Sequence, residues 1–440
     1  MSDANIVQPE EVDFFVQRVR SFDVKDIGSK SWLDSHEILL KLQQQAHLEA
    51  STCREELIKE LLIVNAKLEI LVHEAYCVLV WRLHILPKLL ALDADPKATF
   101  LIYTVLFHEA TAVSLLEIVL FHPNGCEALG EASIDLIDYC VQAVTQLIGL
   151  VTIGHFRDEL KIQSENATRD DLERQQRDLQ YKIGIRCISI LSFLTDKIDL
   201  LPLSAASRLV KTHDTPCLLS ELIHCQPWIR RVNGIEKFIS DKWVTVRGES
   251  VLTVTKSEAQ TWLCFRQLLF NPNVMRNYEI NEFRQRELAK CQNKLTVQVL
   301  DQLPPLAELK HFLCTLVVSG NKTNNSSMVL EVLPQIKDNL ISNAKKIGYR
   351  KIVESHRAIF IDLNQDTILE LAKKLNEAYN TDYLASLECN NEEKSCENLC
   401  GNCGKQAEKK CSKCEAVYYC CRECQVENWS VHKNQCGNKI

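Results

Sequence analysis

A mostly α-helical fold, with a long solenoid-like helical body and a small cysteine-rich C-terminal module, is the class that this 440-residue sequence predicts. Three observations predict it. Glycine (13) and proline (11) are scarce, so few breaks interrupt the chain. Apolar residues recur at three- and four-residue steps, the period of one helix face. Ten of the twenty cysteines fall in the last 52 residues, Cys389 to Ile440. The expected division is a helical body over 1–388, a polar linker over 389–399 and a compact module over 400–436.

Taken in order, the helix signals begin at Thr52 and Glu55, a capping-box pair ahead of the apolar run ELIKELLIV. Residues 139–156 (YCVQAVTQLIGLVTIGHF) carry no acidic or basic side chain except His155. Gln142, Gln146 and two threonines interrupt the run, which fits a buried helix better than a bilayer span. The polar stretch 165–178 reads as loop or exposed helix. In TPCLLSELI, Thr215 reads as N-cap and Pro216 as first helical residue, with Leu218, Leu219, Leu222 and Ile223 on one face. Residues 242–255 alternate around Gly248 and read as a short hairpin. Leu306, Leu309, Leu313 and Leu316 mark another helix, and 319–327 a loop. Thr367 and Glu370 form a second capping box, with Ile368, Leu371 and Leu375 behind it. Many amphipathic helices without an extensive sheet predict an α-solenoid stack of the armadillo or HEAT kind.

Bulk charge narrows the function classes. A net charge of -7 gives no pull toward nucleic acid or anionic membrane. The start, MSDANIVQPEEVDFF, has acidic residues where a secretory signal has a basic flank and an apolar run. The chain is therefore expected in the cytoplasm, with reduced cysteines and no membrane span. Reduced cysteines at close spacing favour metal ligation over disulfides.

The spacing in the tail is that of a metal module. Cys400 and Cys403 form a Cys-x2-Cys pair, as do Cys411 and Cys414. Cys420 and Cys424 stand one helical turn apart, and His432 and Cys436 follow at the same interval. Seven cysteines and one histidine fill two tetrahedral zinc sites. Four pairs at ligand spacing within 37 residues are not the pattern of scattered core cysteines. Cys396 and Cys421 break the spacing and are left out. From Cys400 onward, seven Lys/Arg against four Glu leave a formal +3, which seven thiolates and two dications cancel. Phosphate binding needs a clear positive excess, so a peptide-binding finger is expected rather than a nucleic-acid finger.

These pairs, with Tyr419-Cys420, Cys424-Gln425, Trp429 and His432-Lys433, resemble the MYND-type zinc finger at every ligand position. Spacing alone leaves open which ligands share an ion. The resemblance implies an interleaved set, with Cys400, Cys403, Cys420 and Cys424 on one zinc and Cys411, Cys414, His432 and Cys436 on the other. It also implies that Gln425 and Trp429 line a groove for a short proline-containing peptide. The plain alternatives are a surface amide and a tryptophan of the small core.

The body segments FHEATAVSLLE (107–117), HDTPCLLSELI (213–223) and LDQLPPLAELKHFL (300–313) are similar to those of one branch of that family, the cytoplasmic factors for preassembly of axonemal dynein arms. That resemblance implies an adaptor of motile ciliated cells. Its implied partners are a leucine-rich-repeat dynein-assembly factor, chaperones and co-chaperones, and axonemal dynein chains. A MYND-type transcriptional co-repressor adaptor is the alternative, although no basic cluster of nuclear-localisation length is present. Catalysis is not expected. The chain has no SET-type Asn-His-Ser element, no Gly-x-Ser-x-Gly, no Walker-type Gly-Lys-Ser/Thr and no His-Glu-x-x-His. His108-Glu109 reads as a helix-face pair. His122 with Cys126, and His213 with Cys217, lie at turn and helix-start signals and read as packing or capping residues.

Overall fold

In the computed structural model the described residues are 6–93, 96, 98–154, 167–232, 234–318, 332–378, 400, 402–403, 407, 409–411, 417–433 and 436. The chain divides into two compact units, Met1–Ala378 and Tyr379–Ile440. The expected linker at 389–399 and the loop at 319–327 lie outside the described residues.

The first unit is mostly helical. It opens with α1 (Pro9–Arg18), α2 (Lys30–Ser51), α3 (Leu57–Val64), α4 (Leu68–His84) and α5 (Leu86–Leu92). The long helices α6 (Thr99–Leu120), α8 (Ala132–Thr152) and α9 (Ala167–Asp196) follow, with α7 (Pro123–Leu129) between the first two. Then come α10 (Leu203–Ser207), α11 (Thr215–Cys225), a small sheet, α12 (Lys256–Phe270), α13 (Pro272–Met275), α14 (Glu282–Ala289), α15 (Val297–Gln302) and α16 (Leu306–Val318). The unit closes with α17 (Ile336–Ile347), α18 (Tyr349–Phe360) and α19 (Gln365–Ala378).

The packing centre is α6, which is apolar on all sides and is covered by α2, α4 and α9. Helix α9 carries the stack onward to α8 and α12, and α12 to α11. The last helices return to the first ones: α17 packs on α4, α18 on α5, and α19 on α2. Three segments, Leu68–Leu92, Thr99–Leu120 and Ala132–Thr152, are long and apolar enough to cross a bilayer by length and composition. In the most apolar 18-residue stretch of each, 61%, 72% and 56% is buried inside the protein.

Burying α4 and α6 also buries polar side chains, and these pair. His108 Nε2 lies 3.2 Å from Glu74 Oε2, and His108 Nδ1 lies 2.9 Å from His36 Nδ1. With Glu74 ionised, His108 donates to it through Nε2–H, and the two Nδ1 atoms of His108 and His36 share a single proton between them. Burial alone raises the Glu74 pKa, but hydrogen bonds from His108, His73 and the Phe22 N–H bring it below the usual carboxylate value. Glu109 Oε1 accepts from Arg82 Nη2 at 3.3 Å and from the Tyr139 hydroxyl at 2.8 Å. His108-Glu109 is thus fully inside the unit, holding helices together rather than decorating a face.

The return of α18 includes an aromatic contact with a defined tautomer. Trp81 Nε1 donates to His356 Nδ1 at 3.3 Å, and His356 Nε2 donates to the Lys25 carbonyl at 3.2 Å. Burial lowers the His356 pKa to about 4, against a partial upward pull from that carbonyl. Burial, with His108 beside it, also holds His36 well below its ordinary value. Folded-state depression means that the unfolded chain binds protons first, so the folded unit loses stability as pH falls below about 6.5. For His356 the loss reaches roughly 3 kcal/mol near pH 4. Urea titrations of the full chain from pH 7 to 4 should show this decline, and His356→Gln should flatten it. An unchanged pH slope in that variant would exclude His356 as a source.

Several local expectations shift. Leu219, Leu222 and Ile223 are buried and Leu218 half-buried, as the periodicity requires. Thr215, however, is not the N-cap. Asp214 precedes the helix in a left-handed conformation (φ 45°), and the Thr215 hydroxyl donates instead to the Leu209 carbonyl at 2.7 Å. Neither capping box forms. The Thr52 hydroxyl donates back to the Leu48 carbonyl at 2.6 Å and closes α2, while α3 starts at Leu57. Asn364 Oδ1, not Thr367, caps α19 by accepting from the Thr367 N–H at 2.8 Å.

The hairpin has the other partner. Strand β3 (Lys242–Val246) pairs upstream with β2 (Ile235–Ile239), which pairs with β1 (Ile229–Arg231), all antiparallel. The turn is Ser240-Asp241, both at positive φ (47° and 60°), the two-residue hairpin geometry that glycine usually supplies. Residues beyond β3 are instead gathered by Lys237, whose Nζ donates to the carbonyls of Ser250, Val251 and Thr253.

Candidate metal centre

Among its described residues the second unit holds two short strands and one helix. Strand β4 (Lys409–Lys410) pairs antiparallel with β5 (Tyr418–Tyr419), and Cys400 bridges to Tyr418 from the other side. Helix α20 (Arg422–His432) follows at once. Its buried centre is Cys400, Ala407, Cys411, Tyr419 and Cys436, with Val417, Tyr418, Cys420 and Cys424 packed around it. Sulfur supplies most of this core. An apolar cluster this small cannot offset the conformational entropy of ordering the segment.

The short pairing brings distant cysteines together. Cys420 sits at the end of β5 and Cys424 in the first turn of α20, so the strand-to-helix step sets both against the 400–403 turn. The sulfurs of Cys400, Cys403, Cys420 and Cys424 all lie within 4.8 Å of one another. Cys403 and Cys420 are separated by 3.4 Å, and Cys420 and Cys424 by 3.6 Å. The ligand atoms of Cys411, His432 and Cys436 form a second group within the same limit, with 3.8 Å between the two sulfurs. Cys414 lies outside the described residues.

These separations fit a metal. A tetrahedral zinc–thiolate site with bonds of about 2.3 Å has sulfur–sulfur edges of about 3.8 Å. A disulfide would need about 2.05 Å. The donor set is all thiolate in one group and thiolate with imidazole in the other, both suited to Zn²⁺. Cys421 is the fifth thiol nearby, its sulfur 3.8 Å from that of Cys420, and it is not a member of the four-sulfur group.

Electrostatics makes the same demand. Burial pushes the Cys400 thiol up, but N–H groups of Cys403, Cys420 and Asn402 bring it down to about 6. The neighbouring sulfurs of Cys403 and Cys424 push Cys420 well above its ordinary value. For Cys424, the Asn402 amide and Cys420 pull downward, while Cys421, burial and Cys403 carry it up to about 11. Four thiolates cannot share so small a volume unless a cation joins them, so metal binding would release protons.

Tyr419 joins the two halves. It is buried, its hydroxyl donates to Asn428 Oδ1 at 3.1 Å, and its ring meets that of His432 edge-on at 6.0 Å. Trp429 is 41% exposed, and its ring lies 5.9 Å from that of His432. Gln425 is half-buried on the same helix. Val426, 66% exposed, lies one helical turn before Trp429 and enlarges the apolar face. Its i, i+3 spacing to the tryptophan was a legible signal in the sequence.

Among the described residues, these two groups are where three or more metal-ligating side chains converge. The other Cys/His pairs serve packing. His122 pairs with Glu56 at 2.9 Å while Cys126 donates to the Leu120 carbonyl. His213 pairs with Asp138 while Cys217 contacts the Tyr278 hydroxyl.

Comparison with known proteins agrees with this geometry. Residues 400–436 match the MYND finger family. Over 98% of its length the chain is 45% identical to the zinc finger MYND domain-containing protein 10 homolog of Drosophila melanogaster, 99% of which is covered. A shorter likeness, 41% over 56 residues, covers 13% of the chain and 9% of protein CBFA2T2 from mouse and from human. No solved structure matches. Near-full-length identity at that level, together with a finger whose donor atoms are gathered in one group of four and one of three, places this chain in the zinc finger MYND domain-containing protein 10 family.

Proposed function

We propose that this chain is a non-enzymatic cytoplasmic adaptor for preassembly of axonemal dynein arms in motile ciliated cells. Its finger holds two structural zinc ions, one on Cys400, Cys403, Cys420 and Cys424, the other on Cys411, Cys414, His432 and Cys436. When bound, zinc supplies a fixed tetrahedral cross-link between segments distant in sequence. With four protein ligands on each ion, no position is left for water or substrate, so neither site is a Lewis-acid centre. The observation that supports the docking part of this reading is the exposed apolar face of α20, Val426 and Trp429 beside Gln425, on the helix that carries Cys424 and His432. The partners proposed for the adaptor are a leucine-rich-repeat assembly factor, chaperones and co-chaperones, and dynein chains.

Tryptophan offers a large apolar surface at low rotamer cost, which makes it a common interface anchor. Trp429→Ala is expected to keep two zinc ions and the helical body. It should weaken binding of a partner recovered from ciliating cells by at least about 2 kcal/mol, roughly thirtyfold. Affinity purification of full-length wild type and variant from such cells, followed by titration with zinc-loaded proteins, reads both points. Recovery of chromatin regulators in place of dynein chains and chaperones would favour the co-repressor alternative.

A further inference from the structure

The corner between α17 and α18 reads KKIGYRK over residues 345–351, a dense basic run in a chain whose net charge is -7. Gly348 makes the corner at φ 93°, a conformation that glycine adopts freely. Tyr349 follows it and meets two other helices. The His84 ring of α4 stacks on the Tyr349 ring at 5.2 Å, and Lys88 Nζ of α5 lies 4.4 Å from the same ring. Lys337, about two turns before Lys345 on α17, donates only to the neutral Gln142 Oε1, at 2.8 Å. Lys88, Lys345, Lys346, Arg350 and Lys351 are all exposed, and among the described residues none of them forms an ion pair. Asp338 and Glu354, the carboxylates closest in sequence, pair with none of them. The charge is felt locally: burial, then Lys88, Lys345 and Lys337, lower the His84 pKa. The Tyr349 hydroxyl is also buried without a hydrogen-bond partner. This corner is short of both negative charge and acceptors.

We propose that this basic corner is a docking surface for a carboxylate-rich segment of a protein partner. Like charges gathered without carboxylates repel one another, and an acidic segment from outside removes that cost. The Tyr349 ring holds the Lys88 ammonium in place by a cation–π contact, so part of the surface is set before a partner arrives. A short peptide fits the patch better than an extended polyanion does. The cations occupy one helix corner and the ends of its neighbours, whereas a duplex or a bilayer would also face the acidic remainder of the chain. Screening confines the attraction to about 8 Å at physiological salt, so the segment must lie on the corner itself. All of these residues belong to the helical unit, and the proposal does not depend on the zinc reading.

The test titrates the full-length, zinc-loaded chain into a labelled glutamate-rich peptide and reads fluorescence anisotropy. The same peptide with glutamine at each glutamate is the neutral probe. Wild type should bind the acidic peptide, with affinity falling as salt rises, and should leave the neutral one free. The double variant Lys88→Glu with Lys345→Glu should bind the acidic peptide about tenfold more weakly. Lys88→Arg with Lys345→Arg keeps both charges and should bind like wild type. A charge-matched control away from the corner, Lys41→Glu with Lys182→Glu, should also bind like wild type, which separates a local surface from net charge. Wild-type affinity in the Lys88/Lys345 reversal would overturn the proposal, as would an equal loss in the distant control. Preference of the unsubstituted protein for anionic lipid vesicles or for an oligonucleotide over the acidic peptide would overturn the assignment to a protein partner.

Discussion

Stripping zinc from the full-length protein unfolds residues 400–436 and leaves the helical unit intact. This is the largest effect expected, because each structural site contributes on the order of 10–16 kcal/mol of apparent binding energy at neutral pH. The small core of Cys400, Ala407, Cys411, Tyr419 and Cys436 cannot replace that. The helical unit draws its stability from the apolar faces of α4, α6, α8 and α9 and loses none of them. Elemental analysis of the reduced protein should give two zinc ions per chain. Chelation should make the finger protease-sensitive while most far-ultraviolet helical signal persists. One zinc ion or none, or collapse of the whole helical signal on chelation, would contradict the two-site finger on an independent body.

Removing Glu109 is the second large effect. The Arg82 and Glu109 side chains are 6% and 3% exposed, and Glu109 accepts from both Arg82 and Tyr139. In Glu109→Ala the guanidinium stays buried without its carboxylate, and the tyrosine hydroxyl loses its acceptor. Breaking a buried pair from one side costs about 3–5 kcal/mol. The exposed pair Arg357–Asp362 provides the contrast, because solvent screens it and Asp362→Ala should change stability by less than about 1 kcal/mol. Urea denaturation at pH 7 compares the two. A Glu109→Ala loss below about 1 kcal/mol would show that water reaches Arg82 and replaces the carboxylate.

Much of this protein is written in local pattern. Helix class follows from apolar spacing, as at Leu306, Leu309 and Leu313, all buried where the period places them. The candidate ligands follow from cysteine spacing, because a two-residue gap or one helical turn lets a single segment present two donors to one ion. Capping was legible less often. Thr52, Thr215 and Thr367 carry hydroxyls that can bond forward to an N–H or backward to a carbonyl, and only the surrounding chain decides which. The hairpin turned on the same ambiguity, since alternation in 242–246 shows a strand but not the side on which its partner lies.

Tertiary structure alone decided the long-range pairings. Nothing near His108 in sequence announces Glu74 or His36, and nothing near Trp81 announces His356, 275 residues away. Packing apolar helices buries these polar groups together, and the cost of leaving any of them unpaired in a low-dielectric interior selects the partner. The finger divides the same way. Ligand identity was local, but the grouping of Cys400 and Cys403 with Cys420 and Cys424 depends on β4, β5 and α20 folding the segment back on itself. Spacing lists the donors, and only three-dimensional proximity can assign them to one ion.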